Sequence, residues 1–182
     1  FISSFMLLMS AMVVITPVAW TALSQRIGKK AVFIIAIVGF IVSFSLFGFV
    51  TADDTAFIYA FAVALGATNC GFSLMAFSML LDTIAYDRKI SGLNREGVYA
   101  GLWSAMDKTA FAFGALLAGL ALGYFQYRES AAGFVEQTPE TLQGITITYI
   151  GMPTVFAVLA LVIILGYRLN AREIGEPVPA SP

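Results

Sequence analysis

Three side-chain chemistries are scarce in this chain. Its 182 residues include no histidine and a single cysteine, and only 12% of them are charged. The lack of histidine excludes zinc sites and proton relays that need an imidazole. Cys70 cannot form an internal disulfide, and we expect it to be a small packing residue. Soluble domains carry about 25% charged residues, so a chain that is 59% hydrophobic is predicted to be a polytopic membrane protein.

Common signatures of catalysis and of nucleic-acid binding are also missing. The sequence has no HExxH, G-x-S-x-G or P-loop motif and no cysteine–histidine couple. Its net charge is −1, and no basic tract occurs. We therefore predict neither an enzyme nor a nucleic-acid-binding protein. The chain begins inside an apolar segment, without Met or a basic leader, so we expect it to be the C-terminal part of a longer protein.

Five apolar runs are long enough to cross a bilayer as helices, since about 20 residues span its hydrocarbon core. They cover residues 1–22, 31–50, 56–81, 98–124 and 145–167. None shows the strict alternation of a β-barrel strand. The predicted fold is an all-α transmembrane helix bundle over 1–170, followed by a cytoplasmic tail at 171–182. Pro17 and Pro153 should kink their spans, and either kink is a hinge or simply a tolerated proline.

Lysine and arginine predict the orientation of these spans, because cytoplasmic loops are enriched in both. On one side of the predicted membrane lie Arg26, Lys29, Lys30, Arg88, Lys89, Arg95, Arg168 and Arg172. On the other side lies only Arg128. The first span should therefore enter from outside, and the C-terminus should be cytoplasmic. We expect a multi-pass protein of the bacterial cytoplasmic membrane.

Lys108, with Asp107 beside it, is the strongest candidate for function. It lies about 15 Å along its predicted helix, close to the midplane of a core about 30 Å thick. Charges at this depth usually face a bundle interior or a water-filled cavity. We favour a solute-binding role for Lys108 over a structural ion pair. Neighbours on a helix do not face each other directly, so Asp107 should point to a different partner, as a binding or as a structural residue.

Polar and aromatic side chains surround this pair and also mark the end of the third span. Trp103 and Ser104 lie one turn before Asp107 and Lys108 and share their faces. Trp103 could stack against an apolar sugar face or simply pack. The second group is either a solvated loop or a cytoplasmic gate whose ion pairs make and break. Its members are Asp82, Tyr86, Arg88, Lys89 and, from the preceding basic loop, Arg26.

Several of these segments resemble one family. They are DTIAY at 82–86, GLNREG at 92–97, Trp103 and the Asp107–Lys108 pair. Together they resemble the glycoside–pentoside–hexuronide:cation symporters, the melibiose-permease-like branch of the major facilitator superfamily. RIGKK at 26–30 is similar to the second half of the superfamily's cytoplasmic loop motif, R-x-G-[RK]-[RK], although Gln25 stands where an acidic residue is usual.

The resemblance implies that the five spans correspond to helices eight to twelve of a twelve-helix transporter. Lys108 matches a buried lysine near the family's sugar and cation pocket, and Asp82 matches the first acidic residue of its D-T-x-D-Y segment. Ala85 replaces the second aspartate of that segment, Ser73 a sugar-stacking tryptophan and Asp107 an apolar residue. These differences suggest a solute other than melibiose or another galactoside.

The same resemblance implies a cation-coupled symporter of a sugar, glycoside or related solute, working by alternating access. No cofactor or metal site is expected in this chain, because the ligands for the coupling Na⁺ or H⁺ lie mainly on helices two and four. The expected partners are a small solute, the lipid bilayer and the N-terminal half of the same protein. A uniporter, a transporter of lipid or another solute, and a non-transporting sensor remain alternatives, since one fold can serve several functions.

Overall fold

A computed structural model describes residues 2–48, 54–128 and 137–167 of the chain, and the predicted tail at 171–182 lies outside them. The described residues form helices and contain no strand. The helices are α1 Ile2–Ile15, α2 Pro17–Ile27, α3 Lys29–Phe47, α4 Thr55–Ser91, α5 Glu96–Tyr124 and α6 Pro139–Leu165. Four are long and apolar enough to cross a membrane, and α1 with α2, bent by 43° at the break between them, makes a fifth if the pair is counted as one span. The predicted all-α fold of apolar helices is confirmed, with four to five candidate spans.

Two glycines end helices α2 and α4. Gly28 between α2 and α3 has φ +88°, and Gly92 after α4 has φ +68°, a conformation that glycine adopts without steric cost. The N–H of Gly92 donates to the carbonyl of Arg88 at 3.0 Å and closes the last turn of α4. As a result α4 ends at Ser91, ten residues beyond the apolar run that ends at 81, and the DTIAY segment is helical.

The chain divides into two compact units, and the first comprises 1–94 with 153–182. Here α4 packs mainly against α3 and α1. Phe44 on α3 meets Phe61 on α4 edge to face, with ring centroids 5.7 Å apart, an arrangement that the quadrupole of aromatic rings favours. Both rings are buried. The core of this unit is therefore the seam that α4 shares with its two neighbours.

The second unit, 95–152, contains α5 and the first part of α6. Polar contacts close the connection between these helices. The Thr141 hydroxyl donates to the carbonyl of Phe125 at 2.9 Å. The Gln137 amide accepts from the N–H of Arg128 at 3.2 Å and donates to its carbonyl at 3.0 Å. None of the residues of α5 is buried within the described structure.

Candidate functional site

The two charges of α5 lie halfway along this helix of 29 residues. Lys108 Nζ is 3.8 Å from Asp107 Oδ2, and the two side chains are 83% and 67% exposed. Among the described residues these neighbours pair only with each other, and the expectation that one of them points to another helix stays a prediction. The pair is loose and open, so both groups remain accessible to a ligand.

The other residues predicted to line a cavity are distributed over two helices. Trp103 and Ser104 lie on α5, one turn from Asp107 and Lys108, and both are exposed. Ser73 is also exposed, but it lies on α4 in the first unit. The structure thus places four of the five predicted cavity residues in one continuous patch of α5.

Asp82 has a partner that the sequence does not indicate. Its Oδ1 atom lies 2.6 Å from Lys29 Nζ, and only 11% of the aspartate side chain and 27% of the lysine side chain are exposed. Lys29 is the first residue of α3, where the positive end of the helix dipole disfavours a cation. The Asp82 carboxylate compensates the charge of Lys29 and the positive end of the α3 dipole. The ion pair joins the start of α3 to α4.

Lys30, the next residue, binds the end of α6. Its Nζ atom donates to the carbonyl of Tyr167 at 2.6 Å and to that of Leu165 at 3.1 Å. A cation is favourable at the C-terminus of a helix, where backbone carbonyls lack intrahelical partners. The two successive lysines of RIGKK therefore connect α3 with two other elements of the first unit, α4 and α6. The name "lysine clamp" is used below for Lys29, Lys30, Asp82 and the two carbonyls.

Tyr167, two residues beyond the end of α6, adjoins this clamp. Burial raises the pKa of its phenol, and the negative charge of Asp82 raises that pKa further. A side-chain hydrogen bond with Thr83 and the charge of Lys29 oppose this rise. The phenol is therefore neutral around pH 7, and it serves as a hydrogen-bonding group.

The remaining residues of the predicted gate lie on the helices that the clamp joins or adjoins. Arg26 is exposed in the last turn of α2, and Arg88 and Lys89 are exposed in the last turn of α4. Tyr86 is half-buried on α4. Arg26, Arg88 and Lys89 thus lie at the ends of α2 and α4, and their role in a gate stays a prediction. Lys29 and Lys30 were not predicted to belong to this group, although the R-x-G-[RK]-[RK] motif was the signal that could have included them.

Metal ligands are sparse in the part of the chain that the structure describes, and one polar cavity lies near a helix connection there. No group of three Cys, Asp or Glu side chains converges among the described residues. A cavity of about 210 Å³ lies at the connection between α5 and α6 and includes Arg128 and Glu140 in its lining. Its lining also includes Thr138 and Thr141, whose hydroxyls bond each other at 2.8 Å. The lining is polar, with Gln126, Arg128 and Glu140 beside the two threonines.

Apolar helices sufficient for five spans, with charges midway along one of them, define an integral multi-pass membrane protein. Comparison with known families identifies its kind. The profile of the family described as MFS/sugar transport protein matches residues 2–171. The chain therefore belongs to this family of transporters, as the resemblance to the symporters of the major facilitator superfamily predicted, and the family is not one of enzymes.

Individual relatives agree with this assignment. The chain is 29% identical over 154 residues to a glucuronide carrier protein homolog of Escherichia coli, covering 84% of this chain and 33% of the relative. It is 27% identical over 151 residues to an uncharacterized symporter of Bacillus subtilis, covering 83% and 32%. A Synechocystis symporter, also uncharacterized, is 26% identical over 120 residues, covering 66% and 21%. The chain thus spans a third or less of these relatives. No solved structure matches it significantly.

Proposed function

We propose that the full-length protein is a secondary active transporter that couples uptake of a sugar, glycoside or related small solute to Na⁺ or H⁺ by alternating access. Membership of a sugar-transport family supports the solute class. Relatives named as symporters support the coupling. The observation that carries the proposal is the open Asp107–Lys108 pair in the middle of α5.

The position of this pair along α5 requires a polar environment. Lys108 follows Glu96 by twelve residues and precedes Tyr124 by sixteen, or about 18 Å and 24 Å along the helix. Exposure of such a charge to lipid at this depth costs about 3 kcal/mol on insertion scales. A water-filled cavity between this part of the protein and its N-terminal half would remove that cost. The patch on α5 would line this cavity.

Each residue of the patch has a role in this proposal. Lys108 binds a hydroxyl or carboxylate oxygen of the solute, and Trp103 stacks on an apolar face of the sugar ring. Asp107 accepts hydrogen bonds from solute hydroxyls and lowers the local positive charge beside Lys108. Ser104 shapes the site from α5.

Coupling arises when Lys108 changes partners. In the resting state it would pair with carboxylates of the N-terminal half, which also supply the ligands of the cation. Binding of Na⁺ or H⁺ neutralises these carboxylates and releases Lys108 to the solute. The cation and the solute therefore bind together, which is the requirement for symport.

The lysine-clamp end would face the cytoplasm of a bacterial cell, as the distribution of basic residues predicts. The inner gate would form there, where the exposed ends of α2 and α4 meet the N-terminal half. Arg26, Arg88 and Lys89 would make its ion pairs directly. Asp82 and Tyr86 would act from behind them, because Asp82 is already bound by Lys29.

Uptake into sealed proteoliposomes tests the proposal on the full-length protein. A panel of sugars, glycosides and uronides is offered with and without an inward Na⁺ or H⁺ gradient. We expect gradient-driven accumulation that falls by about 100-fold or more in Lys108→Ala, since loss of a positioned charge commonly costs several kcal/mol. Arg128→Ala removes an exposed cation of the same unit outside the patch, and it should transport normally.

The other outcomes distinguish the alternatives. Uptake that ignores both gradients would indicate a uniporter, and solute binding without uptake would indicate a sensor. Gradient-driven uptake at full rate in Lys108→Ala would remove this lysine from the mechanism. A solute bound by the wild type and lost in Lys108→Ala, but not in Arg128→Ala, would place the patch at the binding site.

A further inference from the structure

The bend between α1 and α2 is fastened to α4 on both of its sides. The axes of the two helices differ by 43° at the break after Ile15. Pro17 lacks an N–H, so the carbonyl of Val13 loses the donor that a continuous helix would supply. Thr16 reinforces the break, because its hydroxyl donates to the carbonyl of Met12 at 2.6 Å, a bond that often accompanies a bent helix.

Cys70 on α4 satisfies the carbonyl that Pro17 leaves without a backbone donor. Its Sγ atom lies 3.6 Å from the oxygen of Val13, within hydrogen-bonding distance for sulfur. The thiol is buried, with 8% of the residue exposed. Since an unsatisfied carbonyl inside a membrane is costly, this contact stabilises the packing of the break against α4. Pro17 leaves the carbonyl without a backbone donor whatever the angle of the span, so moving the break away from α4 would leave it unsatisfied.

Trp20 on α2 fastens the other side of the bend. Its Nε1–H donates to the carbonyl of Ala67 on α4 at 2.8 Å. Its ring lies against Gly71, where a Cβ would approach Trp20 Cε2 to 2.6 Å. Both the hydrogen bond and the missing Cβ are needed for the indole to lie this close to α4.

The segment before the bend is equally close to α4. A Cβ on Gly66 would lie 2.5 Å from the carbonyl oxygen of Met9 on α1, so the backbones of the two helices are nearly in contact. Residues 66–71 of α4 therefore contact α1 through Gly66, the break through Cys70, and α2 through the ring of Trp20. A hinge at Pro17 would have to break more than one of these contacts.

We propose that the bend at Pro17 is permanent. The contacts that Trp20 and Cys70 make between α4 and the bent segment hold it in place, so that α1, α2 and α4 move as one body. The broken span is then no hinge. The statement about movement during transport rests on the proposed function, whereas the fastening of the bend does not.

Alkylation of Cys70 tests the fastening without any knowledge of the solute. The full-length protein in detergent is treated with N-ethylmaleimide, and modification is followed by mass spectrometry on the tryptic peptide 31–88, which contains Cys70. Trp20→Phe keeps the aromatic ring and loses the hydrogen bond. We expect it to raise the alkylation rate about fivefold, the population change expected when one hydrogen bond is lost.

Trp103→Phe is the matched control, because Trp103 lies on α5 in the other unit, and it should leave the alkylation rate of Cys70 unchanged. An unchanged alkylation rate in Trp20→Phe would refute the proposal that the Trp20 hydrogen bond holds the bend against α4. The wild type should itself react much more slowly than the same peptide in the unfolded protein, and fast reaction of the folded wild type would overturn the proposal without any variant.

A second measurement applies in proteoliposomes for any solute that the uptake assay detects. The alkylation rate of Cys70 in the wild type should differ by less than about twofold with and without solute and gradient. A bend that stays packed on α4 does not expose Cys70 during the transport cycle. A severalfold change would show that the broken span flexes and would overturn movement as one body. Absence of uptake would refute the proposed function. The alkylation rate of Cys70 in detergent would then still test whether the bend is held against α4.

Discussion

The long helices α4 and α5 both carry acidic side chains, yet their surroundings differ. Nine residues of α4 are buried, including Asp82, whereas none of the residues of α5 is. Asp82 lies 2.6 Å from Lys29 on another helix, while Asp107 is compensated at 3.8 Å by its own neighbour. The charge on α4 is thus part of the structure of the first unit. The charges on α5 require polar surroundings that the described residues of its unit do not provide.

The glycines of the two helices lead to the same conclusion. On α4, a Cβ at Gly66 or Gly71 would meet a neighbouring helix at less than 3 Å. On α5, a Cβ at Gly101, Gly114, Gly119 or Gly123 would meet nothing within 4 Å among the described residues. Small residues let membrane helices approach closely. The small residues of α4 are already in contact with other helices, whereas these glycines of α5 adjoin open space among the described residues.

The largest expected change in stability comes from replacing a packed glycine of α4, compared with an open glycine of α5, by valine. Gly66→Val should destabilise the full-length protein by about 3 kcal/mol or prevent its folding, because the added atoms overlap the backbone of α1. Gly119→Val should cost less than about 1 kcal/mol, since space surrounds this site in the described unit. Unfolding in detergent, followed by tryptophan fluorescence, measures both. Equal losses would show that α5 is as tightly packed as α4 in the full-length protein.

Neutralising the two aspartates gives the next largest effect. Asp82→Asn removes the charge that compensates Lys29, and breaking a fully buried pair costs about 3–5 kcal/mol. Because water reaches part of Lys29, we expect a loss of about 1–2 kcal/mol in the free energy of unfolding. Asp107→Asn should leave stability nearly unchanged and reduce uptake instead. A stability loss in Asp107→Asn as large as in Asp82→Asn would contradict the distinction between the two helices.

The sequence was sufficient to predict the properties that depend on a single helix. Apolar length gives the spans, because a helix in lipid must satisfy its own backbone and present about 20 apolar residues. The depth of Lys108 follows from counting along α5. Proline fixes the position of the bend at Pro17, since it removes one hydrogen bond whatever surrounds it.

Contacts between helices could not be read in this way. Lys29 and Asp82 are 53 residues apart, and their pairing depends on how α3 lies along α4. Cys70 was correctly placed among packing residues, but its bond to Val13 depends on the side from which α1 approaches. The expected separation of Asp107 from Lys108 stays a prediction, because it depends on another helix that would compete for one of them. No such partner occurs among the described residues.

The smallest expected effect concerns the other half of the lysine clamp. Lys30→Ala removes a cation from the end of α6, where it binds two carbonyls. A partly exposed charge at a helix C-terminus contributes about 0.3–1 kcal/mol, so the loss of stability should be well below that in Asp82→Asn. Lys30→Arg keeps the charge and should restore most of it, and high salt should shrink the difference between the wild type and Lys30→Ala because the site is screened. If Lys30→Ala lowered the free energy of unfolding as much as Asp82→Asn does, the contact of Lys30 with the end of α6 would be as important for stability as the buried ion pair between α3 and α4.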